Sequence, residues 1–299
     1  MSLIIEVENV GKRYGDKQAL RGVNFSLNQG APVALVGPNG AGKTTLFSLL
    51  CGYIQPTSGG IKILGHKPAS SALFGRLAAL PQDAQLDPRF SIASQLTFYA
   101  RLQGMSKKLA LRDTQRVIAM VGLEDASNSR PSELSHGMRK RATIAQALLG
   151  APEIVMLDEA TAGLDPINAK EIRAIVAEHA NDVNFILSSH DLSELERLCD
   201  QVLYLESGQL KQHTDLNSKE SERFITLRMK QEYPEILPSL MAMQGVTHVF
   251  VTQDREYLLS IATTQNTVAI ELELLTMLHK NNWSYAQLIN GKTLENQLF

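Results

Sequence analysis

The sequence predicts an α/β domain with a mainly parallel sheet, an antiparallel β flank and a helical insertion, followed by a small α+β domain. Up to residue 210, short apolar runs bounded by turn residues alternate with longer helical patterns, which is typical of α/β layers. A stretch at about 83–134 contains helical patterns alone. A polar segment at 211–223 has the composition of a linker. We therefore predict one domain at 1–215 and a second at 216–299.

The first domain is predicted to contain two kinds of strand. Strands near the N-terminus, where turn-rich connections favour antiparallel pairing, are predicted at Leu3–Glu8, Val23–Leu27 and Ile61–Leu64. Buried strands of the parallel sheet are predicted at Val33–Val36, Ile154–Leu157 and Phe185–Ser188. Helical patterns accompany them at Leu46–Leu50, Asn168–His179 and Leu192–Leu198.

The insertion and the second domain have their own patterns. Two helices, Ser91–Leu102 and Lys107–Val121, are predicted within the insertion. The second domain reads strand, helix, strand, strand, helix, strand, which matches a split βαββαβ arrangement. Its predicted elements are Phe224–Met229, Pro234–Met243, Thr247–Thr252, Tyr257–Ala262, Val268–Asn281 and Tyr285–Leu288.

Composition excludes several classes of function. The chain has 29 basic and 31 acidic residues and no long basic tract, so we expect no nucleic-acid partner. Its two cysteines, Cys51 and Cys199, are far apart, which disfavours a disulfide framework and a cysteine metal site. No apolar run approaches the length of a membrane-spanning helix, and the N-terminus lacks the pattern of a secretion signal. We therefore expect a chain that does not cross a membrane by itself, in a reducing compartment.

A glycine-rich loop follows the first predicted buried strand. Residues 37–44 read Gly-Pro-Asn-Gly-Ala-Gly-Lys-Thr and fit the pattern G-x-x-x-x-G-K-[ST], with a strand before it and a helix after it. Such glycines let successive backbone N–H groups surround phosphate oxygens. Lys43 would add charge beside the β and γ phosphates, and the Thr44 hydroxyl could bind Mg²⁺. The alternative is a glycine-rich turn that ends in Lys-Thr by coincidence.

A second acidic motif follows the buried strand at Ile154–Leu157. A strand that ends in Asp158 and Glu159 delivers two carboxylates to the sheet edge where open α/β sheets bind ligands. Asp158 would hold Mg²⁺ through water, and Glu159 would orient or deprotonate an attacking water molecule. The alternative is an exposed acidic turn.

With these two motifs, residues 1–215 resemble the nucleotide-binding subunit of an ABC transporter. Tyr14, in Lys-Arg-Tyr-Gly, stands where that family stacks the adenine ring, although a tyrosine alone would more often be a surface or core residue. Gln82, in Leu-Pro-Gln-Asp, resembles the glutamine that contacts Mg²⁺ or the attacking water. His190 ends a β-rich run and matches the family's switch histidine, which contacts the γ-phosphate.

The signature motif departs from the family pattern at two positions. Residues 134–138 read Leu-Ser-His-Gly-Met where the family has Leu-Ser-Gly-Gly-Gln. The resemblance carries γ-phosphate binding over to Ser135 and Gly137, whereas His136 and Met138 differ from the pattern. Capping the following helix is the structural alternative for Ser135. Asp165 resembles the family's residue at the dimer interface and is equally well explained as a helix cap.

The resemblance implies a Mg²⁺-dependent ATPase that uses ATP as its ligand. The implied catalytic residues are Glu159, His190, Gln82 and Lys43. Thr44, Gln82 and Asp158 are the implied Mg²⁺ ligands. The implied nucleotide-binding residues are Tyr14, Gly37, Pro38, Asn39, Gly40, Ala41, Gly42, Lys43, Thr44, Thr45, Ser135 and Gly137.

The resemblance also implies partners. In ABC proteins the signature completes the ATP site of the opposite subunit, so we expect a second ATPase subunit, with a homodimer favoured and a heterodimer as the alternative. The region at 83–101 is where the family receives a coupling helix from a separate transmembrane permease, which would hold the chain at the cytoplasmic face of the membrane. The ending at 293–299 resembles ATPases of drug- and antibiotic-resistance exporters, which favours export over import.

Two other functions remain open at this stage. One is a soluble ABC ATPase that remodels a macromolecular complex, although such proteins commonly carry two cassettes or a coiled-coil insertion. The other is a nucleotide-binding module that no longer hydrolyses ATP, which the intact residues Lys43, Asp158, Glu159 and His190 disfavour. The second domain could serve dimerisation, bind a small ligand or cover the ATPase domain.

Overall fold

The computed structural model describes residues 2–190, 195, 198–199, 201–215, 223–253, 255–262 and 267–291. The chain divides into two compact units, Met1–Leu216 and Asn217–Phe299. This division lies one residue beyond the boundary that the sequence predicts.

Unit 1 combines strands with five helices in its described part. Its strands are β1 (Leu3–Tyr14), β2 (Lys17–Asn28), β3 (Val33–Val36), β4 (Ser58–Ile63), β5 (Leu77–Leu80), β6 (Ile154–Asp158), β7 (Asn184–Ser189), β8 (Gln201–Glu206) and β9 (Gln209–Asp215). Its helices are α1 (Lys43–Leu50), α2 (Ile92–Leu102), α3 (Lys107–Met120), α4 (His136–Ala147) and α5 (Pro166–His179).

Two sheets form the framework of unit 1. The first is antiparallel, with the order β2-β1-β4, which confirms the predicted flank. The second has the order β5-β6-β7-β3-β8-β9 and is parallel except for the final β8–β9 pair. A continuous apolar core joins the two sheets and α1, and it includes Leu27, Leu35, Leu46 and Ile186. The parallel order brings the ends of β3, β6 and β7 to one edge of the sheet.

The polar segment after Leu210 was expected to be a linker, and its first part is not. Residues 211–215 belong to β9, which pairs antiparallel with β8. The strand is polar because it is the outermost strand of its sheet, where one side of the backbone has no neighbouring strand in the described part. Strands β5 and β8 are further elements that the sequence reading did not identify.

The helical insertion has the predicted helices and no strand within the described residues 83–134. Helices α2 and α3 begin after Ser91 and Ser106, whose hydroxyls accept hydrogen bonds from Ser94 N and Leu109 N, each at 3.3 Å. These caps satisfy backbone donors that the first turn leaves unpaired, which explains why each helix begins at its serine.

Unit 2 has the predicted order of elements. It contains β10 (Arg223–Met229), α6 (Ile236–Met241), β11 (Val246–Gln253), β12 (Glu256–Ile261), α7 (Thr267–Lys280) and β13 (Tyr285–Asn290). The sheet order is β11-β12-β10-β13, and every neighbouring pair is antiparallel. Both helices pack on the sheet through an apolar core that includes Ile225, Leu240, Leu259 and Leu274.

Two sequence-based expectations fall outside the described residues. Most of the helix expected at Leu192–Leu198 and all of the tail at 293–299 lie there. Among the helices that the structure describes, none combines the length and the apolar character needed to span a membrane.

Candidate functional site

The glycine-rich loop connects β3 to α1. Gly37, Gly40 and Gly42 have φ values of 153°, 82° and 108°. A Cβ at Gly37 would overlap the carbonyl oxygen of Leu205, so a side chain cannot be accommodated there. Gly42 stands at the N-cap of α1 and provides no side-chain cap. The first backbone N–H groups of α1 are therefore available to an anion, and the helix dipole favours one there.

Lys43 is the first residue of α1 and is buried. Its ammonium donates to the carbonyl oxygens of Gly37 at 2.7 Å and Pro38 at 3.4 Å, and it lies 3.9 Å from Glu159 Oε1. The loop thus curls around the lysine that follows it. A buried ammonium between the loop and a carboxylate places positive charge where phosphate oxygens would lie.

The two acids at the end of β6 have different surroundings. Asp158 is buried and accepts a hydrogen bond from the Ser188 hydroxyl of the neighbouring strand β7. Burial raises the pKa of the Asp158 carboxyl, whereas the Ser188 bond and the positive charges of Lys43 and Lys140 act in the opposite direction. A cation bound beside this carboxylate would stabilise its ionised form.

Glu159 has a strained backbone. Its φ of 49° lies in the left-handed region, which non-glycine residues rarely adopt. Its backbone N–H lies 3.0 Å from the Ser188 hydroxyl oxygen and 3.2 Å from the Ser188 carbonyl oxygen, which hold this conformation. Such strain is found most often at functional sites. Here it turns the Glu159 side chain towards Lys43 and His190.

His190 follows β7 and contacts Glu159 directly. His190 Nδ1 lies 2.9 Å from Glu159 Oε2, and because a carboxylate can only accept, the imidazole N–H donates. The His190 side chain is about half exposed, whereas that of Glu159 is 10% exposed. The histidine therefore lies between the carboxylate and the open side of the site. Asp191, the next residue in the chain, lies outside the described residues.

Lys43, Glu159 and His190 line one cavity of about 680 Å³, which we call the nucleotide cavity. Its walls come from the glycine-rich loop, the β1–β2 turn, the ends of β6 and β7, and the β8–β9 turn. The predicted site residues that line it are Asn39, Gly40, Gly42, Lys43, Thr44, Thr45, Gln82, Glu159 and His190. The cavity brings together side chains that lie more than a hundred residues apart in sequence.

Seven predicted site residues are outside the described lining of the nucleotide cavity. Gly37, Pro38 and Ala41 belong to the glycine-rich loop, Asp158 is buried at the end of β6, and the other three are Tyr14, Ser135 and Gly137. Tyr14 ends β1, is about half exposed and has Lys12 Nζ 5.1 Å from its ring centre, but it is not part of the described lining of the nucleotide cavity. Ser135 and Gly137 lie at the start of α4 and are likewise outside that lining. The adenine and γ-phosphate roles of these three residues stay predictions.

Ser135 and Gly137 of the signature motif contribute to the start of α4 and to its packing on α5. The Ser135 hydroxyl accepts a hydrogen bond from Met138 N at 3.2 Å and caps α4. Gly137 is buried against α5, where an added Cβ would overlap the side-chain amide of Asn168. A glycine at this position therefore allows α4 and α5 to approach closely.

Replacing Gly137 with alanine is expected to destabilise unit 1. The new methyl group must displace Asn168, whose side-chain amide is also bound to Asp165, and overpacking of this kind costs about 1–3 kcal/mol. Thermal unfolding followed by circular dichroism measures the change. Gly30→Ala is the matched control, because a Cβ there meets nothing within 4 Å. Equal melting temperatures for the two variants would contradict this packing.

The sequence reading did not identify Ser188 and Lys140. Ser188 links Asp158 to the backbone of Glu159 through hydrogen bonds. The sequence feature that could have indicated it is the pair of serines at the end of an otherwise apolar strand. Lys140 lies one turn into α4, and its ammonium interacts through space with Asp158 and Glu159. Residues of the β1–β2 turn, among them Lys17 and Gln18, also line the nucleotide cavity.

Comparison with known proteins places the chain among ATP-binding subunits. Residues 20–162 match the family model described as ABC transporter. An uncharacterized ABC transporter ATP-binding protein, YxlF of Bacillus subtilis (strain 168), is 34% identical over 232 residues, which cover 77% of this chain and 78% of the relative. Nod factor export ATP-binding protein I of Burkholderia orbicola (strain AU 1054) is 36% identical over 210 residues, 68% of each chain.

Solved structures agree with this assignment. The structure of an ATP-binding subunit of an ABC transporter superposes with a TM-score of 0.63 at 28% identity and covers 72% of this chain and 90% of its own. The structure of cbiO1 from Clostridium perfringens, part of the transporter complex cbiONQ, gives a TM-score of 0.66 at 26% identity, with the same coverage.

Proposed function

This chain belongs to the ABC transporter family of ATP-binding proteins, and we propose that it is the ATPase of an exporter whose membrane-spanning part is a separate subunit. It binds and hydrolyses ATP and serves a membrane transporter. The observation that carries the proposal is the arrangement of Lys43, Glu159 and His190 around one cavity at the mouth of the glycine-rich loop.

Each group around the cavity has a distinct task in hydrolysis. Glu159 accepts the proton of the attacking water, because its carboxylate lines the nucleotide cavity although its side chain is only 10% exposed. The His190 N–H holds the Glu159 carboxylate in place through its 2.9 Å hydrogen bond. Lys43 and the N–H groups of the loop stabilise the negative charge that develops on the γ-phosphate. Gln82 lies at the cavity wall, where its amide can orient the water.

The residues present also fit Mg²⁺. Thr44, Gln82 and Asp158 would supply hydroxyl, amide and carboxylate oxygens, the donors that Mg²⁺ prefers. In the part of the chain that the structure describes, no group of three or more His, Cys, Asp or Glu could hold a metal ion. A single buried carboxylate suits Mg²⁺, which binds through one or two carboxylates together with substrate phosphates. When bound, the ion neutralises the phosphate charge.

We further propose that the site is completed by a second copy of this chain. Within one chain, Ser135 and Gly137 are not among the described residues that line the nucleotide cavity. Head-to-tail pairing would place Ser135 of one protomer opposite the loop of its partner. The γ-phosphate would then join the two protomers, and its loss on hydrolysis would let them separate.

The permease would dock on the helical insertion. Within 83–101, Phe90 and Phe98 are 50% and 59% exposed, so the surface offers apolar contact area. Export as the direction of transport is supported by the similarity of this chain to Nod factor export ATP-binding proteins, at about one third sequence identity. A chain held in this way would lie at the cytoplasmic face of the membrane.

The transporter assignment predicts that a membrane protein co-purifies with this chain. Detergent-solubilised native membranes would be incubated with tagged Glu159→Gln protein and Mg·ATP. The tagged protein would then be purified, and the proteins that co-purify with it would be identified by mass spectrometry. We expect a protein with several membrane-spanning helices in the eluate, and less of it when Lys43→Ala protein is the bait. Recovery of soluble partners alone would contradict the assignment and favour remodelling of a macromolecular complex.

A further inference from the structure

A second cavity lies beside the nucleotide cavity in unit 1. Its volume is about 410 Å³, and it separates the segment Gln82–Leu86 from one face of α4. His136, Arg139, Lys140 and Thr143 line it from α4, at the spacing of three and four residues that places side chains on one helix face. We call this space the α4 cavity. Gln82 lines both cavities, so the two are neighbours.

Lys140 contributes a partly buried positive charge to the α4 cavity. The side chain is half-buried, and among the described residues its ammonium has neither a hydrogen-bond partner nor an ion-pair partner within 4.0 Å. Burial lowers the pKa of the Lys140 ammonium, whereas Asp158 and Glu159 act in the opposite direction from a greater distance. A partly desolvated ammonium without a direct partner costs free energy, and an anion in the cavity would offset that cost.

The charged residues that line the cavity are two cations and one acid, so the lining itself is net positive. Arg139 is the second cation, and one of its terminal nitrogens donates to the Leu134 carbonyl oxygen at 2.9 Å, which anchors the guanidinium at the rim. Asp83, on the opposite wall, is the acidic residue of the lining. The amides of Gln82 and Gln85 and the hydroxyl of Thr143 add neutral hydrogen-bonding groups. This combination suits a small oxyanion.

Hydrolysis in the nucleotide cavity produces such an anion. Inorganic phosphate is formed beside Glu159 in the nucleotide cavity, and Gln82 lies between that cavity and the one that Lys140 lines. We propose that the α4 cavity binds the phosphate released by hydrolysis, with Lys140 as its main ligand and Arg139 at the rim. The inference rests on the hydrolytic function proposed above for the neighbouring cavity.

The proposal is tested with inorganic phosphate and the full-length chain. Phosphate is titrated by ³¹P NMR against Lys43→Ala protein, in which the glycine-rich loop has lost its cation. Adding Lys140→Gln should weaken the remaining phosphate binding about tenfold or more, the effect of one charge-assisted hydrogen bond. Adding Lys140→Arg keeps the charge and should retain binding. Adding Lys108→Gln, an exposed lysine on α3, is the matched control and should also retain it.

Two results would overturn the proposal. One is unchanged phosphate binding when Lys140→Gln is added, and the other is an equal loss with the Lys108→Gln control. Thermal unfolding of each protein shows whether it is folded. If the Lys140→Gln protein is not folded, the Lys140→Arg protein still tests whether a positive charge at position 140 retains phosphate binding. The two proposals fail separately, because the role of Lys43 is judged by ATP affinity and the role of Lys140 by phosphate affinity in the Lys43→Ala background.

Discussion

Replacing Glu159 with glutamine is expected to lower the rate of ATP hydrolysis by about 10²–10⁴-fold, the usual contribution of a general base. Glutamine has nearly the same shape and retains an oxygen that can accept the His190 hydrogen bond, but it cannot take a proton from water. Since Lys43 and the loop are untouched, ATP affinity should stay close to that of the wild type. The variant therefore separates binding from chemistry.

Phosphate release measured under saturating Mg·ATP gives the rate, and equilibrium binding of a fluorescent ATP analogue gives the affinity. The matched control is Glu178→Gln, an exposed acid on α5 away from the cavity, which should leave both quantities unchanged. Normal turnover by the Glu159→Gln protein would show that Glu159 is not the general base and that the acidic motif has a structural role.

The second large effect is expected from Lys43→Ala. The ammonium contacts the carbonyl oxygens of Gly37 and Pro38, and in the complex it would contact phosphate oxygens as well. One or two charge-assisted hydrogen bonds contribute about 1.5–3 kcal/mol each, so ATP affinity should fall by roughly 10- to 100-fold or more. Hydrolysis should fall with it, since the charge on the γ-phosphate loses a stabilising partner.

Equilibrium binding of ATP and of ADP, each without turnover, measures this effect. Lys108→Ala, which removes an exposed lysine from α3, serves as the control for loss of charge. An ATP affinity equal to that of the wild type would contradict the assignment of residues 37–44 as the phosphate-binding loop.

The sequence indicates the candidate catalytic edge through local signals. The loop at 37–44 requires glycines at positions of positive φ, and a run of apolar residues that ends in Asp158 and Glu159 indicates a strand end. In a parallel sheet such strand ends meet at one edge, where open α/β sheets bind ligands. The parallel pairing of β3 with β7 and of β6 with β7 confirms the predicted parallel sheet and brings the ends of these three strands together.

Other features depend on contacts between distant segments and could not be read from local patterns. The left-handed backbone of Glu159 is held by Ser188 on another strand. Gly137 reads as a phosphate-binding glycine, yet its closest neighbour in this chain is Asn168 of α5. Strand β9 carries polar residues because it lies at a sheet edge, and its composition therefore resembles that of a linker.

We expect ATP to join two copies of this chain, with the glycine-rich loop of one facing Ser135 of the other. Light scattering of the Glu159→Gln protein with Mg·ATP tests it most directly. We expect a mass near twice the 32.9 kDa of one chain with ATP, and a single-chain mass with ADP. Adding Ser135→Arg should keep the protein monomeric while it still binds ATP. A Glu159→Gln protein that binds ATP and stays monomeric would contradict the account.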